Sequence, residues 1–240
     1  MNVSEADRIA GEISKFLISG DSHQACLVLE PILDQRAPFR VLDRIAAGIG
    51  RGPQTNAFLE RIAEGDSEGG WVIIGGILRQ QYPDQPATTV DQCCYYIVAA
   101  DTWYGADILG ERVAGPALQT DFARAQSLLS PWRSHENRWV RRSVGVAAHF
   151  WAKRSRGDQV LKRQAAALLA FLAPMYEEWE MDAVKGVGWG LKTLGRNYPD
   201  VLTTWLLAQR DRPHRRLLLR KAVTYLSDED RRKVLEAHGW

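Results

Sequence analysis

Cysteine is scarce in this sequence, and the three cysteines present exclude a disulfide framework and a cysteine-based zinc site. Two of them, Cys93 and Cys94, are neighbours, and adjacent cysteines rarely bridge each other. We therefore expect the cysteines to act as small, buried hydrophobic residues of a protein in a reducing, cytoplasmic compartment.

Long apolar runs are missing as well. The longest, around the YYIVAA that ends at Ala100, is much shorter than the ~20 residues of a membrane-spanning helix. No charged-then-apolar leader is visible at the N-terminus, so we expect neither membrane insertion nor secretion. A hydrophobic fraction of 45% and a charged fraction of 25% are typical of a soluble globular protein.

Strand-like alternation and hairpin turns are also missing, which leaves helices as the main element. Apolar residues recur near every 3.6 positions between breaks such as GRGP, YPDQP and GP. The predicted helices span 4–19, 22–34, 37–50, 54–64, 69–81, 88–100, 102–113, 116–129, 137–153, 158–172, 176–180, 182–197, 199–209, 213–225 and 228–237. The fold class is therefore all-α.

Two segments repeat at a distance of 43 residues. The stretch RRSVGVAAHF from Arg141 superposes on VKGVGWGLKT from Val184, which aligns Val146 with Trp189. A further shift of 43 residues leads from Val146 back to Trp103. This period lies within the ~40–47 residues of HEAT-type repeats. We predict an all-α, HEAT-like α-solenoid of antiparallel helix pairs with a concave basic face.

The charges are divided unevenly along the chain. Residues 1–120 hold 9 Lys/Arg against 16 Asp/Glu, a net of −7, whereas 121–240 hold 22 against 13, a net of +9. Such a split indicates that the second half meets a polyanion. We predict one repeat domain over 1–240, with acidic N-terminal helices in 1–90 and the repeats that carry the site in 91–240.

A basic stripe runs along the predicted helix around residues 138–156. Six polar side chains fall within an arc of roughly 120° on that helix, namely Arg138, Arg141, Arg142, His149, Lys153 and Arg156. Gly145 lies in the middle of the stripe and costs about 1 kcal/mol relative to alanine. Close approach of a bulky partner would explain this glycine.

The helix over 182–197 repeats this arrangement. One side carries Lys185, Gly186, Trp189, Lys192, Thr193 and Arg196. The phase of the helix thus places Trp189 among cations, although tryptophans usually pack in cores. Cations along successive helices form a track for a phosphate backbone, and the same pattern also suits an acidic protein.

An acidic residue on the same predicted line needs a separate explanation. In DTWYGADILG, Trp103 and Asp107 are four residues apart and share one face of a helix. Asp107 would repel phosphate, so it either pairs with an arginine, caps a turn, or faces a positive charge on the ligand. Flanking indole rings also favour a cationic ligand.

Alkylated DNA combines phosphates with a local positive charge. Methylation at N7 of guanine or N3 of adenine charges the base and weakens its bond to the sugar. Cleavage of that bond develops oxocarbenium character, which a carboxylate beneath the sugar stabilises while it orients water. The sequence thus predicts base excision with no metal and no nucleotide cofactor.

The motifs TWYGAD, NRWVRRS and VKGVGWGLK resemble the DNA alkylation repair family, the AlkD type of HEAT-like DNA glycosylases. The resemblance covers roughly residues 95–225. It implies that Trp103 and Trp189 are cleft tryptophans, that Asp107 is catalytic and that Arg142 contacts DNA. It further implies excision of cationic N3- and N7-alkylated purines from duplex DNA. We also expect the protein to be a cytoplasmic monomer associated with the nucleoid.

The expected site therefore has a catalytic and a binding part. Asp107 stabilises the sugar cation, Trp103 and Trp189 contact the sugar and lesion, and Arg142 holds a phosphate. Six further side chains track the DNA backbone, namely Arg141, His149, Lys153, Lys185, Lys192 and Arg196, and a structural role for His149 stays open. Two alternatives remain, a non-catalytic HEAT protein that binds damaged or branched DNA, and a protein-interaction scaffold.

Overall fold

The structure is a computed structural model that describes residues 3–49 and 55–240. Every regular element within those ranges is a helix, which confirms the all-α helical-repeat prediction. The chain divides into two compact units, Met1–Val113 and Ala114–Trp240. The division falls later than residue 90, where the sequence placed the change from acidic helices to repeats. Trp103 and Asp107 therefore belong to the first unit.

The first unit is a stack of helices in two rows. Its helices are α1 (Val3–Ile18), α2 (Ser22–Asp34), α3 (Phe39–Gly48), α4 (Thr55–Glu64), α5 (Glu68–Gln81), α6 (Pro86–Ala100) and α7 (Trp103–Leu109). In one row α1, α3, α5 and α7 contact each other in succession, and in the other α2, α4 and α6 do so. This alternation is how helix-pair repeats bury a continuous core.

The second unit repeats this alternation with longer central helices. Its helices are α8 (Gly115–Thr120), α9 (Phe122–Leu129), α10 (Arg138–Ser155), α11 (Lys162–Leu172), α12 (Met181–Asn197), α13 (Pro199–Ala208), α14 (Arg216–Ala222) and α15 (Asp228–Ala237). Short 3₁₀ turns occupy Ser130–Ser134, Gln159–Leu161, Ala173–Glu177 and Val223–Tyr225. One row consists of α8, α10, α12 and α14, and the outer contacts join α11, α13 and α15. The predicted concave basic face stays a prediction.

Glycines allow the helices of the α8–α10–α12–α14 row to pack closely. A Cβ atom added at Gly145 of α10 would collide with the backbone of Gly186 in α12. From the other side, a Cβ atom at Gly190 would lie 2.7 Å from the carbonyl oxygen of Gly145. The bulky partner that the sequence required at Gly145 is therefore the neighbouring helix and not a ligand.

Most helix bounds agree with the sequence prediction to within a few residues. The predicted helices 158–172 and 213–225 include the 3₁₀ turns Gln159–Leu161 and Val223–Tyr225, and three other segments differ more. The segment predicted as 102–113 changes from α- to π-helix at Gly110–Ala114. Pro116 follows this π turn, and a proline ring clashes with the carbonyl four residues earlier in an α-helix, so the widened turn removes that clash. The predicted helix 116–129 is split because the Asp121 side chain accepts a hydrogen bond from the Arg124 backbone N–H and starts α9.

The third difference is the predicted helix 176–180. A 3₁₀ turn over Ala173–Glu177 precedes a non-helical connection that leads into α12. The GRGP break at 50–53 and the predicted helix ends at 50 and 54 lie outside the described residues. None of the described helices combines the length and apolarity required to cross a membrane.

The cysteines lie in the first unit and carry free thiols. Cys26 and Cys93 are buried, and Cys94 is half-buried. Burial raises the pKa of Cys94 to about 11, and it raises the pKa of Cys93 as well. All three therefore stay protonated near neutral pH, as expected for residues that serve as small hydrophobes.

Candidate functional site

The candidate feature of the first unit is the start of α7, which a tight turn positions after α6. Asp101 ends α6 with a left-handed backbone, φ 40°, and the Thr102 hydroxyl accepts a hydrogen bond from the Gly105 N–H at 3.3 Å. A Cβ atom at Gly105 would collide with the Ala100 methyl group, so this turn requires glycine. The short connection fixes where the first residue of α7, Trp103, meets solvent.

Trp103 and Asp107 lie one helical turn apart on α7. Trp103 is 57% exposed, and its indole lies nearly perpendicular to the Tyr104 ring, with ring centroids 5.9 Å apart. Asp107 is half-buried on the same face of the helix, since positions i and i+4 align. Trp103 and Asp107 thus define one patch on α7, and the role of this patch in a site stays a prediction. That this patch and Trp189 serve the same ligand stays a prediction.

The candidate feature of the second unit is a pocket of about 500 Å³. It opens between the C-terminal ends of α10 and α12 and the 3₁₀ turn after α14. Its lining consists of His149, Lys153, Arg156, Trp189, Lys192, Thr193, Arg196, Asn197 and Tyr225. Four of the expected DNA-contacting residues and one expected cleft tryptophan therefore lie together.

The half-buried indole of Trp189 is held from within the unit. The His149 ring stacks on it, with ring centroids 3.9 Å apart and planes 22° from parallel. The Thr193 hydroxyl donates to the Trp189 carbonyl oxygen at 3.1 Å and lies 2.7 Å from Nδ1 of His149. Because that hydroxyl has one proton, its bond to the carbonyl assigns the hydrogen of the second bond to Nδ1.

His149 is a different kind of residue from the cation that the sequence predicted. Its side chain is 7% exposed, and burial, with the nearby charge of Lys153, lowers its pKa to about 4. The imidazole is therefore neutral at pH 7 and carries no charge for a phosphate. Of the two roles left open by the sequence, the geometry agrees with the structural one.

Aromatic contacts hold two of the pocket cations in place. The Lys192 Nζ atom lies 5.1 Å from the centroid of the Tyr225 ring, and the Arg196 guanidinium carbon lies 5.2 Å from it. The other two, Lys153 and Arg156, are exposed at the end of α10. The pocket thus presents positive charge to solvent beside an indole.

A wider set of cations extends from the pocket across α10, α12 and α14. Burial lowers the pKa of Lys221, and the charges of Lys192, Arg142, Arg220 and Lys185 lower it further. Such mutual repulsion requires these groups to lie close together. A bound polyanion would relieve it, so this cluster agrees with the polyanion partner that the charge division indicated.

Arg142 belongs to this cluster and does not line the pocket. Its side chain is 8% exposed, and its Nη1 atom donates to the Asp182 carbonyl oxygen at 3.2 Å. The glycine at 186 allows the close approach, because a Cβ atom there would lie 2.7 Å from Cγ of Arg142. Lys185 is exposed in the same region and pairs with the Asp182 carboxylate at 3.2 Å. A phosphate can reach Arg142 only at its small exposed fraction.

The guanidinium of Arg141 forms hydrogen bonds within the protein. Its guanidinium donates to the Glu178 carboxylate at 2.7 Å and to the carbonyl oxygens of His135 and Glu136 at 2.7 and 2.9 Å. Both charged side chains of the pair are largely buried. This geometry disagrees with the predicted contact to the DNA backbone, and we assign Arg141 to the connection between α10 and α12.

Sequence reasoning did not select four pocket residues as binding candidates, namely Arg156, Thr193, Asn197 and Tyr225. Arg156 lies in the basic stripe of the α10 sequence, which was the available signal for it. Tyr225 follows α14 in a 3₁₀ turn, and its contact with Lys192 and Arg196 depends on the packing of α12 against α14. No local pattern in the sequence reports such a contact.

Within residues 3–49 and 55–240, no group of three or more His, Cys, Asp or Glu side chains is arranged to hold a metal ion. The family model described as DNA alkylation repair enzyme matches residues 42–226. No curated protein and no solved structure matches the chain.

Proposed function

We propose that this chain, which belongs to the DNA alkylation repair enzyme family, is a DNA glycosylase that excises cationic N3- and N7-alkylated purines from duplex DNA. The family match supports a role in DNA alkylation repair. One observation supports the specific reaction, namely the exposed Trp103 and the half-buried Asp107 one turn apart on α7.

Asp107 is the proposed catalytic residue. Alkylation of a purine at N3 or N7 makes the base a good leaving group, so departure of the base leaves positive charge on the sugar. A carboxylate near C1′ stabilises that oxocarbenium-like state and orients the attacking water. Removal of one such electrostatic contact typically costs a factor of 10² to 10³ in rate.

Trp103 supplies a ring face for the cationic lesion or its sugar. Trp103 is 57% exposed, so part of its indole is accessible to a ligand. A cation over an indole face gains about 0.5–2 kcal/mol, with the larger value in a desolvated site. Uncharged bases lack this gain, which favours alkylated purines over normal ones.

The cations of the second unit supply affinity for the DNA backbone. Lys153, Lys192 and Arg196 line the pocket, and Lys185 belongs to the adjacent cluster. Contacts of this type give binding that weakens steeply with salt and has little sequence preference. Trp189 adds a flat apolar surface beside them, and Arg142 adds positive charge in the adjacent cluster.

The test is release of free base from duplex DNA. Wild-type protein should release N7-methylguanine and N3-methyladenine and should leave O⁶-methylguanine, which is uncharged, in the DNA. Release should persist in a chelator. Salt-sensitive binding without release of either cationic base would instead identify a non-catalytic DNA-binding protein. Absence of DNA binding would leave the protein-interaction scaffold.

A further inference from the structure

We propose that the pocket beside Trp189 is a subsite for phosphates of the DNA backbone and that Arg156 is one of its binding residues. This inference rests on the proposed function for its ligand, duplex DNA. It adds a residue and a location to that function. Three observations carry it, namely the charge of the pocket, the backbone of Arg156 and the ring of Tyr225.

The charge of the pocket selects anions. Lys153, Arg156, Lys192 and Arg196 all line it, and no acidic residue belongs to its lining in the described part of the chain. Within the same described ranges, none of the four cations forms an ion pair with a carboxylate. A cationic alkylated base would be repelled here, whereas phosphate oxygens would be attracted.

Arg156 has an unfavourable backbone conformation. Its φ is 52°, in the left-handed region, which a residue with a Cβ atom adopts less favourably than glycine does. Helix ends commonly use glycine at such a position, and the next residue, Gly157, does so with φ 75°. The strained arginine therefore carries its side chain to the pocket at a measurable cost, a pattern that clusters at functional sites.

Tyr225 arranges two of the cations before any ligand binds. The ring is 47% exposed, and Lys192 and Arg196 both lie within 5.2 Å of its centroid. These residues are four positions apart on α12, so their side chains emerge from neighbouring turns of one face. Restricting two flexible side chains in advance lowers the entropic cost of binding a phosphate strand.

The principal experiment compares Arg156→Gly with Arg36→Gly. Arg36 is an exposed arginine with φ 49° in the first unit, so its replacement changes the same charge and relieves the same strain outside the pocket. Both variants should melt about 2–4 °C above wild type. Arg156→Gly alone should bind duplex DNA several-fold more weakly and reduce the slope of log K against log salt by about 1.

Two further variants separate the contributions. Arg156→Gln keeps the backbone strain and removes the charge, so it should lose DNA affinity with no gain in melting temperature. Tyr225→Phe should bind DNA as wild type does, because it keeps the ring, whereas Tyr225→Leu should bind more weakly. Equal affinity and equal salt slope for wild type, Arg156→Gly and Arg156→Gln would overturn the subsite.

Competition identifies the source of the phosphate. A deoxynucleoside monophosphate at matched ionic strength should compete poorly with duplex DNA; tight, Arg156-dependent binding of the mononucleotide would overturn the assignment to the backbone. The base-release assay distinguishes failure of the two proposals. If wild type releases no base but the salt slope still depends on Arg156, the glycosylase proposal fails and the subsite stands. If wild type releases base normally but the Arg156 variants have the wild-type salt slope, the subsite fails and the glycosylase proposal stands.

Discussion

The imidazole of His149 and the indole of Trp189 stack face to face at a centroid distance of 3.9 Å. One residue comes from α10 and the other from α12, so the contact links the two longest helices of the second unit. The neutral imidazole covers part of the indole and holds it against the pocket wall. Trp189 is thereby held in a defined orientation in the pocket lining.

Replacement of His149 by phenylalanine should make the protein less sensitive to acid. The pKa of His149 is lowered from 6.5 to about 4, so the unfolded chain takes up this proton at a higher pH than the folded chain. The neutral imidazole therefore contributes stability above pH 6.5 that is lost as the pH falls towards 4. The loss is on the order of 3 kcal/mol.

Urea unfolding at several pH values between 7 and 4 measures this effect. His149→Phe keeps a stacked ring and should show a shallower decline than wild type. The control is His23→Phe, which replaces an exposed imidazole of α2. Identical slopes for wild type and His149→Phe would show that the buried imidazole accepts a proton without cost.

Replacement of Gly145 by alanine should destabilise the second unit, because the added methyl group would collide with the α12 backbone at Gly186. Backbone cannot move aside as a flexible side chain can, so we expect a loss of about 2 kcal/mol or more in the free energy of unfolding. Gly11→Ala in α1 is the control. Nothing lies within 4 Å of its added Cβ atom, so it should gain about 0.5–1 kcal/mol. Chemical denaturation of both variants decides between these outcomes.

The repetition of apolar residues was sufficient to predict nearly all helices, because each helix buries one face against a neighbour. The failures lie where local chemistry interrupts that pattern. Asp121 caps a new helix within an otherwise continuous apolar period. The π turn at Gly110–Ala114 also leaves no trace in the apolar spacing.

The site was harder to predict, for a physical reason visible on α10. Helical phase groups Arg142, Gly145 and His149 on one stripe, and the sequence interpretation gave that stripe to a ligand. In the structure α12 covers this part of the stripe, which buries all three residues. A periodicity argument locates a face but cannot distinguish a ligand from a neighbouring helix that accepts polar side chains.

Arg141 and Lys192 should respond differently to replacement by alanine. Arg141→Ala removes the ion pair with Glu178, so it should lower the free energy of unfolding by about 2 kcal/mol and leave the salt slope of DNA binding unchanged. Lys192→Ala should instead reduce that slope by about 1 and change stability little. Arg163→Ala on α11 is a charge-matched control outside the pocket. A reduced slope for Arg141→Ala would return this arginine to the DNA interface.

The most direct test of the central claim is single-turnover release of N7-methylguanine by Asp107→Asn, with DNA affinity measured in parallel. Asp91→Asn, which neutralises an exposed carboxylate on α6, is the matched control. We predict that Asp107→Asn binds methylated duplex DNA at least as tightly as wild type. Its rate of base release should be lower than the wild-type rate by a factor of about 10² or more. Release at the wild-type rate by Asp107→Asn would remove this carboxylate from the reaction and contradict the account.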